Sequence, residues 1–253
     1  MIYKKKCIRV MVFILMWAVL FTGCTVSVTD VIGSKGESTD NINDTGNSSQ
    51  EILLPSKDPT PSATISHRDI YKAVLLNEME FYNTDEHKNM HLDNVSVSSD
   101  TNVITKITHF AVVDLDGDGY SEVILWVKVN GVVDYGSLIL HYQDEKVYGY
   151  NLVIRAFMDL KTDGTFSFSS GAANHGFSTI SFSNDICTFD RVTYCESGVD
   201  SDGNQFVKYI VNHESAGEAN FYAAYEEQDK KADVLWYELT EKNIEAVLSC
   251  IED

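Results

Sequence analysis

Four acids fall within nine residues of this chain, in the stretch Asp114-Leu-Asp116-Gly-Asp118-Gly119-Tyr-Ser-Glu122. Asp114, Asp116 and Asp118 alternate, so their side chains can converge when the backbone coils around a common point. Gly119 supplies the sharp turn that such a coil needs. Carboxylates packed this closely repel one another strongly without a counter-ion. Their chemistry is that of a hard-cation site, with the oxygen donors that calcium prefers.

Asp114 to Gly119 matches the first half of an EF-hand loop. The second half departs from it, because the twelfth position is Leu125 where an EF-hand places a bidentate Glu. The flanks, Phe110-Ala-Val-Val113 and Val123-Ile-Leu-Trp-Val127, read as strands. With Glu122 at the ninth position, the pattern resembles the FG-GAP and VCBS type of β-hairpin calcium loop. The resemblance covers about 15 residues. It implies calcium ligation by Asp114, Asp116, Asp118, the backbone carbonyl of Tyr120, and Glu122, with water completing the shell. Those families are usually propellers of many copies. One copy cannot close a propeller, so the likeness extends to the loop and not to the fold. Asp200-Ser-Asp202-Gly-Asn204 echoes the pattern without a ninth-position acid and reads as a turn.

The N-terminus carries a second chemical signal. Lys4, Lys5, Lys6 and Arg9 precede an uninterrupted apolar run from Val10 to Phe21. That run fits a signal-peptide core of about 7–15 residues and falls short of the ~20 needed to span a bilayer. Phe21-Thr22-Gly23-Cys24 resembles the lipobox of bacterial lipoproteins, with Phe21 where Leu is usual. The resemblance implies cleavage after Gly23, a diacylglyceryl group on Cys24, and acyl chains such as palmitate in the membrane. Two or more chains are needed, since one gives only marginal binding. The expected location is extracytoplasmic, lipid-anchored to the cell membrane.

Removing residues 1–23 removes four positive charges and no acids, which takes the formal charge from −19 to −23. A chain this acidic is a poor partner for nucleic acid. Cys7 and Cys24 belong to the export segment, leaving Cys187, Cys195 and Cys250. An odd count argues against a disulfide framework. Cys187 and Cys195 on one extended run would sit about 26 Å apart, beyond disulfide reach; one bond stays open if the chain turns between them or Cys250 packs nearby, and buried thiols are the leading expectation.

The elements that must position the loop follow from composition and periodicity. Residues 24–65 are a disordered tether, rich in Ser, Thr, Asp, Asn and Gly and holding all three prolines. As a flexible coil it reaches roughly 35 Å. Residues 66–253 form one domain, opening with the capping-box-like Ser66-His-Arg-Asp69. Helical spacing runs from there to about Asn83. Strands are expected over 107–113, 122–129, 137–142, 146–153, 165–169, 178–183, 188–196 and 205–213. Ser215-Ala-Gly-Glu218 reads as the cap of a second helix and Thr240 as the start of a third. The fold class is α+β: mainly an antiparallel β meander with an N-terminal helix and two C-terminal helices. Over 66–250 the chain also resembles a group of uncharacterised lipoproteins of Gram-positive anaerobes. The likeness is carried by Tyr71-Lys-Ala-Val-Leu75, Phe110 to Leu125, Asp163 to Gly171, Val211-Asn-His-Glu-Ser215 and Ile244-Glu-Ala-Val-Leu248. It implies surface display and no particular activity.

Other polar residues weigh less. Asn174-His175-Gly176 reads as part of a small-residue loop, with no nucleophile elbow or metalloprotease motif beside it. His213-Glu214 reads as a strand-to-helix junction. Tyr135, Tyr148 and Tyr150 would suit an exposed ligand platform or ordinary sheet packing. The leading expectation is a non-enzymatic surface module, calcium-stabilised, with an extracellular ligand or protein partner. The alternative is a hydrolase-like enzyme acting on cell-wall or polysaccharide substrates. It would need a pocket gathering two acids, or His175 with a nucleophile.

Overall fold

The computed structural model describes residues 66–250. Cys24, the signal segment and the tether lie outside the described residues. Helix α1 (His67–Leu75) starts as expected, with Ser66 Oγ accepting the N–H of Asp69 at 3.2 Å. Its buried stripe is Ile70, Tyr71, Val74 and Leu75. The helix ends well short of Asn83, and Asn77 turns the chain with a left-handed φ of 62°. Phe81 and Asn83 are then buried on either side of a half-buried Tyr82, the period-two pattern of strand β1 (Phe81–Asn83).

A hairpin adds β2 (Lys88–Met90). The central strands are β3 (Thr105–Val113), β4 (Glu122–Val129), β5 (Val133–Gln143) and β6 (Lys146–Val153). The rest of the chain holds β7 (Phe166–Gly171), β8 (Asn174–Ser183), β9 (Ile186–Val199), β10 (Gln205–Val211) and β11 (Glu214–Ala216). Then come α2 (Glu218–Asp229), β12 (Tyr237–Glu238) and α3 (Glu241–Leu248). The antiparallel strands, the early helix and the two late helices agree with the sequence reading. The single meander does not. A seven-stranded sheet runs β12-β3-β4-β5-β6-β1-β2, and a five-stranded sheet runs β11-β10-β9-β8-β7. β1 pairs with β6 in parallel.

Period two divides each central strand between two cores. Val123, Leu125 and Val127 join Phe110, Leu138 and Leu140 beneath α1 and α3. Ile124 joins Ala111, Ile139, Phe166 and Ile180 on the opposite side, where the second sheet packs. Burial on both faces explains why Val123-Ile-Leu125 and Leu138-Ile-Leu140 lack polar alternation. Lys72 and Glu245 form an ion pair between α1 and α3.

Helix α2 covers β9 and β10, with Phe221 fully buried. Its N-cap is Gly217, and Ser215 lies in β11 rather than capping the helix. The unforeseen strand β11 is held by its pairing with β10, from Tyr209–Ala216 to Val211–Glu214. Thr240 does cap α3, its Oγ1 accepting the N–H of Asn243 at 3.3 Å. Cys187, Cys195 and Cys250 are all free thiols, the first two on β9. Among the described residues no helix is long and apolar enough to cross a membrane.

Candidate functional site

The acidic loop joins β3 to β4, the two strands that register Val113 against Glu122. Its carboxylates fold the backbone around themselves. Asp114 Oδ1 accepts the N–H of Gly117 at 2.8 Å, and its Oδ2 accepts that of Gly119 at 3.1 Å. Asp116 Oδ1 accepts the N–H of Asp118 at 3.2 Å, and Asp118 Oδ1 accepts that of Tyr120 at 2.7 Å. Gly117 and Gly119 take left-handed φ values of 79° and 93°, which explains glycine at both positions. Asp114, Asp116 and Glu122 each offer a carboxylate oxygen, all within 4.8 Å of one another. Asp118 stands outside this triad.

Glu122 is the unusual member. It is 1% exposed, and both its oxygens are engaged. Oε2 accepts the N–H of Leu115 at 2.8 Å, and Oε1 lies 2.9 Å from His141 Nδ1. When Glu122 is ionised its oxygens only accept, and the bond then requires the proton on Nδ1. The sheet register places this partner: Val123 opposes Leu140, so Glu122 meets His141 one step on. The His141 ring in turn stacks on Phe182 of the second sheet, with centroids 4.5 Å apart and planes 21° apart. Sequence reading missed His141. Its signal was an imidazole inside the otherwise apolar run Leu138-Ile-Leu-His-Tyr142.

Burial pushes the Glu122 carboxyl up from its ordinary value, against the lowering effect of His141 and the Leu115 N–H. Partial burial and then the Asp118 charge push Asp116 up. Both shifts mark sites where a positive partner is favoured over a bare charge.

Two neighbours buttress the loop. At one side, the ring of His67 lies 4.6 Å from those of Tyr120 and Tyr142. Tyr71, also on α1, accepts the N–H of Tyr142 at 2.9 Å. At the other side is the Asp163-Gly164 turn. A Cβ on Gly164 would lie 2.8 Å from the Leu115 carbonyl oxygen and 3.0 Å from that of Asp114, and its φ is 78°. Gly164→Ala should therefore cost about 1–2 kcal/mol and displace the base of the loop. Urea unfolding with and without calcium measures both effects. An unchanged midpoint in both would refute the buttress.

Two cavities adjoin these elements. One, of about 490 Å³, runs beside the loop along Asp114, Gly119 and Ser121 to Leu235 and Tyr237. The other, of about 520 Å³, is lined by Trp126 and Trp236 together with Phe157, Asp134, Asp159 and Asp233. Of the two readings of the tyrosines, sheet packing holds: Tyr148 and Tyr150 are buried, and Tyr135 packs on the helix-side core. Tyr150 Oη donates to the Asn184 carbonyl, which ties the two sheets together.

His175 lies in β8 rather than in a loop, because His175 to Ser183 pairs with β9. Its Nδ1 is 3.4 Å from Cys195 Sγ. Cys195 is 3% exposed, and His175 is packed against Phe221 and Tyr225 of α2. The pair is a packed contact beneath a helix. His213 sits in the turn between β10 and β11 with a left-handed φ of 68°, not at a strand-to-helix junction. The Asp200 turn closes on itself, Asp200 Oδ1 accepting the N–H of Asn204 at 2.8 Å, which lowers the Asp200 carboxyl.

Fold and site together define an α+β domain of two stacked antiparallel-rich sheets, with an acidic turn fixed at one hairpin. Searches against family models, curated proteins and solved structures return no match.

Proposed function

We propose that this chain is a lipid-anchored extracytoplasmic module whose β-rich domain is stabilised by calcium and binds an extracellular ligand without catalysing a reaction. The observation that carries the calcium part is the Asp114, Asp116 and Glu122 triad, with its oxygens within 4.8 Å of one another. Asp118 and the Tyr120 carbonyl complete the ligand set when the loop closes on the ion, in keeping with the resemblance to FG-GAP and VCBS loops. Lys4 to Cys24 supports export and lipidation at Cys24. The groove beside the loop and the tryptophan-lined cavity support ligand binding. The burial of Cys195 beneath α2 argues against a thiol enzyme built on His175.

Calcium titrated into the full-length chain in a calorimeter should show one site, absent in Asp116→Ala. Extracellular calcium modules bind at about 10⁻⁴–10⁻³ M, so the titration belongs in that range. Wild-type protein giving no heat of binding would end the calcium reading.

A further inference from the structure

We propose that the cavity lined by the packed indoles of Trp126 and Trp236 binds a small organic ammonium ion. This deepens the binding-module reading above and rests on it, but not on the calcium loop. The cavity volume of about 520 Å³ falls within the range of small-molecule sites, roughly 300–1,000 Å³. Its aromatic wall is a pair of indoles, one from β4 and one from the segment leading into β12. Their centroids are 4.8 Å apart and their planes cross at 76°. Trp126 Nε1 already donates to Asp134 Oδ1 at 2.9 Å. What this indole offers a ligand is therefore its π surface rather than its N–H, and a cation is what a π surface attracts electrostatically.

Charge points the same way. Asp134, Asp159 and Asp233 line the cavity, and no Lys, Arg or His does. Two of these acids are balanced from outside the lining. Lys128 Nζ is 3.1 Å from Asp134, and the buried Lys161 Nζ is 2.6 Å from Asp233. Among the described residues no Lys or Arg pairs with Asp159. The cavity thus carries one uncompensated negative charge beside an indole pair, which matches a single positive charge on an apolar body. A bare metal ion fits poorly, because among the described residues the converging carboxylates are those of the loop. An anion is repelled.

Two of the three tryptophans of the chain, Trp126 and Trp236, line the cavity, so a saturable ligand-dependent change in indole fluorescence, weakened in Trp236→Leu, reports on it above the constant signal of Trp17. The test uses the full-length chain titrated with choline chloride. Its uncharged isostere 3,3-dimethylbutan-1-ol and methyl glucoside are run in parallel, with sodium chloride as the ionic-strength control. Choline should give a saturable change, and the alcohol should bind at least about tenfold more weakly. Asp159→Asn, a substitution at an exposed residue, should weaken choline about three- to tenfold and leave the alcohol unchanged. Trp236→Leu should weaken choline about tenfold. Equal binding of the alcohol or of methyl glucoside overturns the proposal. So does an absence of saturation with choline, or an Asp159→Asn variant that binds choline as the wild type does. Calcium calorimetry on the same preparations separates the two readings. Loss of choline binding with calcium heat intact removes the ligand class alone, and loss of calcium heat with choline binding intact removes the calcium reading alone.

Discussion

Replacing His141 by Phe should destabilise the calcium-free chain by about 2–4 kcal/mol at neutral pH. Phenylalanine retains the ring that stacks on Phe182 but strips Oε1 of Glu122 of its partner at 2.9 Å. The carboxylate stays buried, with the Leu115 N–H as the one backbone donor left. Glu122 already has a raised carboxyl in the folded chain, through burial. Without the imidazole it rises further. The sign of the pH effect follows. A raised folded-state pKa means the native state binds the extra proton, so that contribution to stability is present below the ordinary carboxylate range. It is lost as pH rises through the raised value. The variant should recover stability on acidification from neutral pH, more steeply than the wild type. Adding Glu122→Gln should remove that steep recovery and restore part of the loss. Urea unfolding from the bottom of the carboxylate range to neutrality, with chelator present, reads all three chains. A flat difference between His141→Phe and wild type across that range would refute the anchoring role.

Calcium at ten times its dissociation constant should stabilise the wild-type chain by about 1.4 kcal/mol. For a domain of this size that is a rise of about 3–6 °C in Tm. Asp116→Ala should show none of it. Its own calcium-free stability should change little, because Asp116 is half-buried and its carboxylate accepts one exposed turn N–H. The effect should also depend on pH. Asp116 and Glu122 hold their protons to higher pH than ordinary carboxyls, and the proton and calcium compete for the same oxygens. The calcium-induced shift should be full above their raised values and fade as pH falls through them. Thermal melts at several pH values, each with calcium and with chelator, test this. A shift that ignores pH, or one that survives in Asp116→Ala, would place the ion elsewhere.

The local parts of the domain were legible. Ser66 and Thr240 mark helix starts because capping is a matter of three neighbouring residues. β4 and β6 lie where the residue pattern put them, since strand bounds there coincide with turn chemistry. The acid spacing from Asp114 to Glu122 announced a folded turn, and the side chains do cap its backbone. Elements held by distant partners were not legible. Strand β1 mimicked the tail of a helix until its parallel pairing with β6 decided the matter. His175 looked like loop polarity until β9 took up its neighbours.

The sequence by itself determined the acidic turn and its glycines, the Ser66 and Thr240 helix caps, and the strands that alternate or stay apolar. Each depends on residues within a few positions of one another. Only the tertiary structure decided that the strands divide into two sheets, that Gly164 supports the base of the loop, that His141 anchors Glu122, and that Trp126 packs edge to face on Trp236 beside a cavity. Those contacts join residues far apart along the chain. They are set by register and by packing of one layer on another, and no local period or spacing records them.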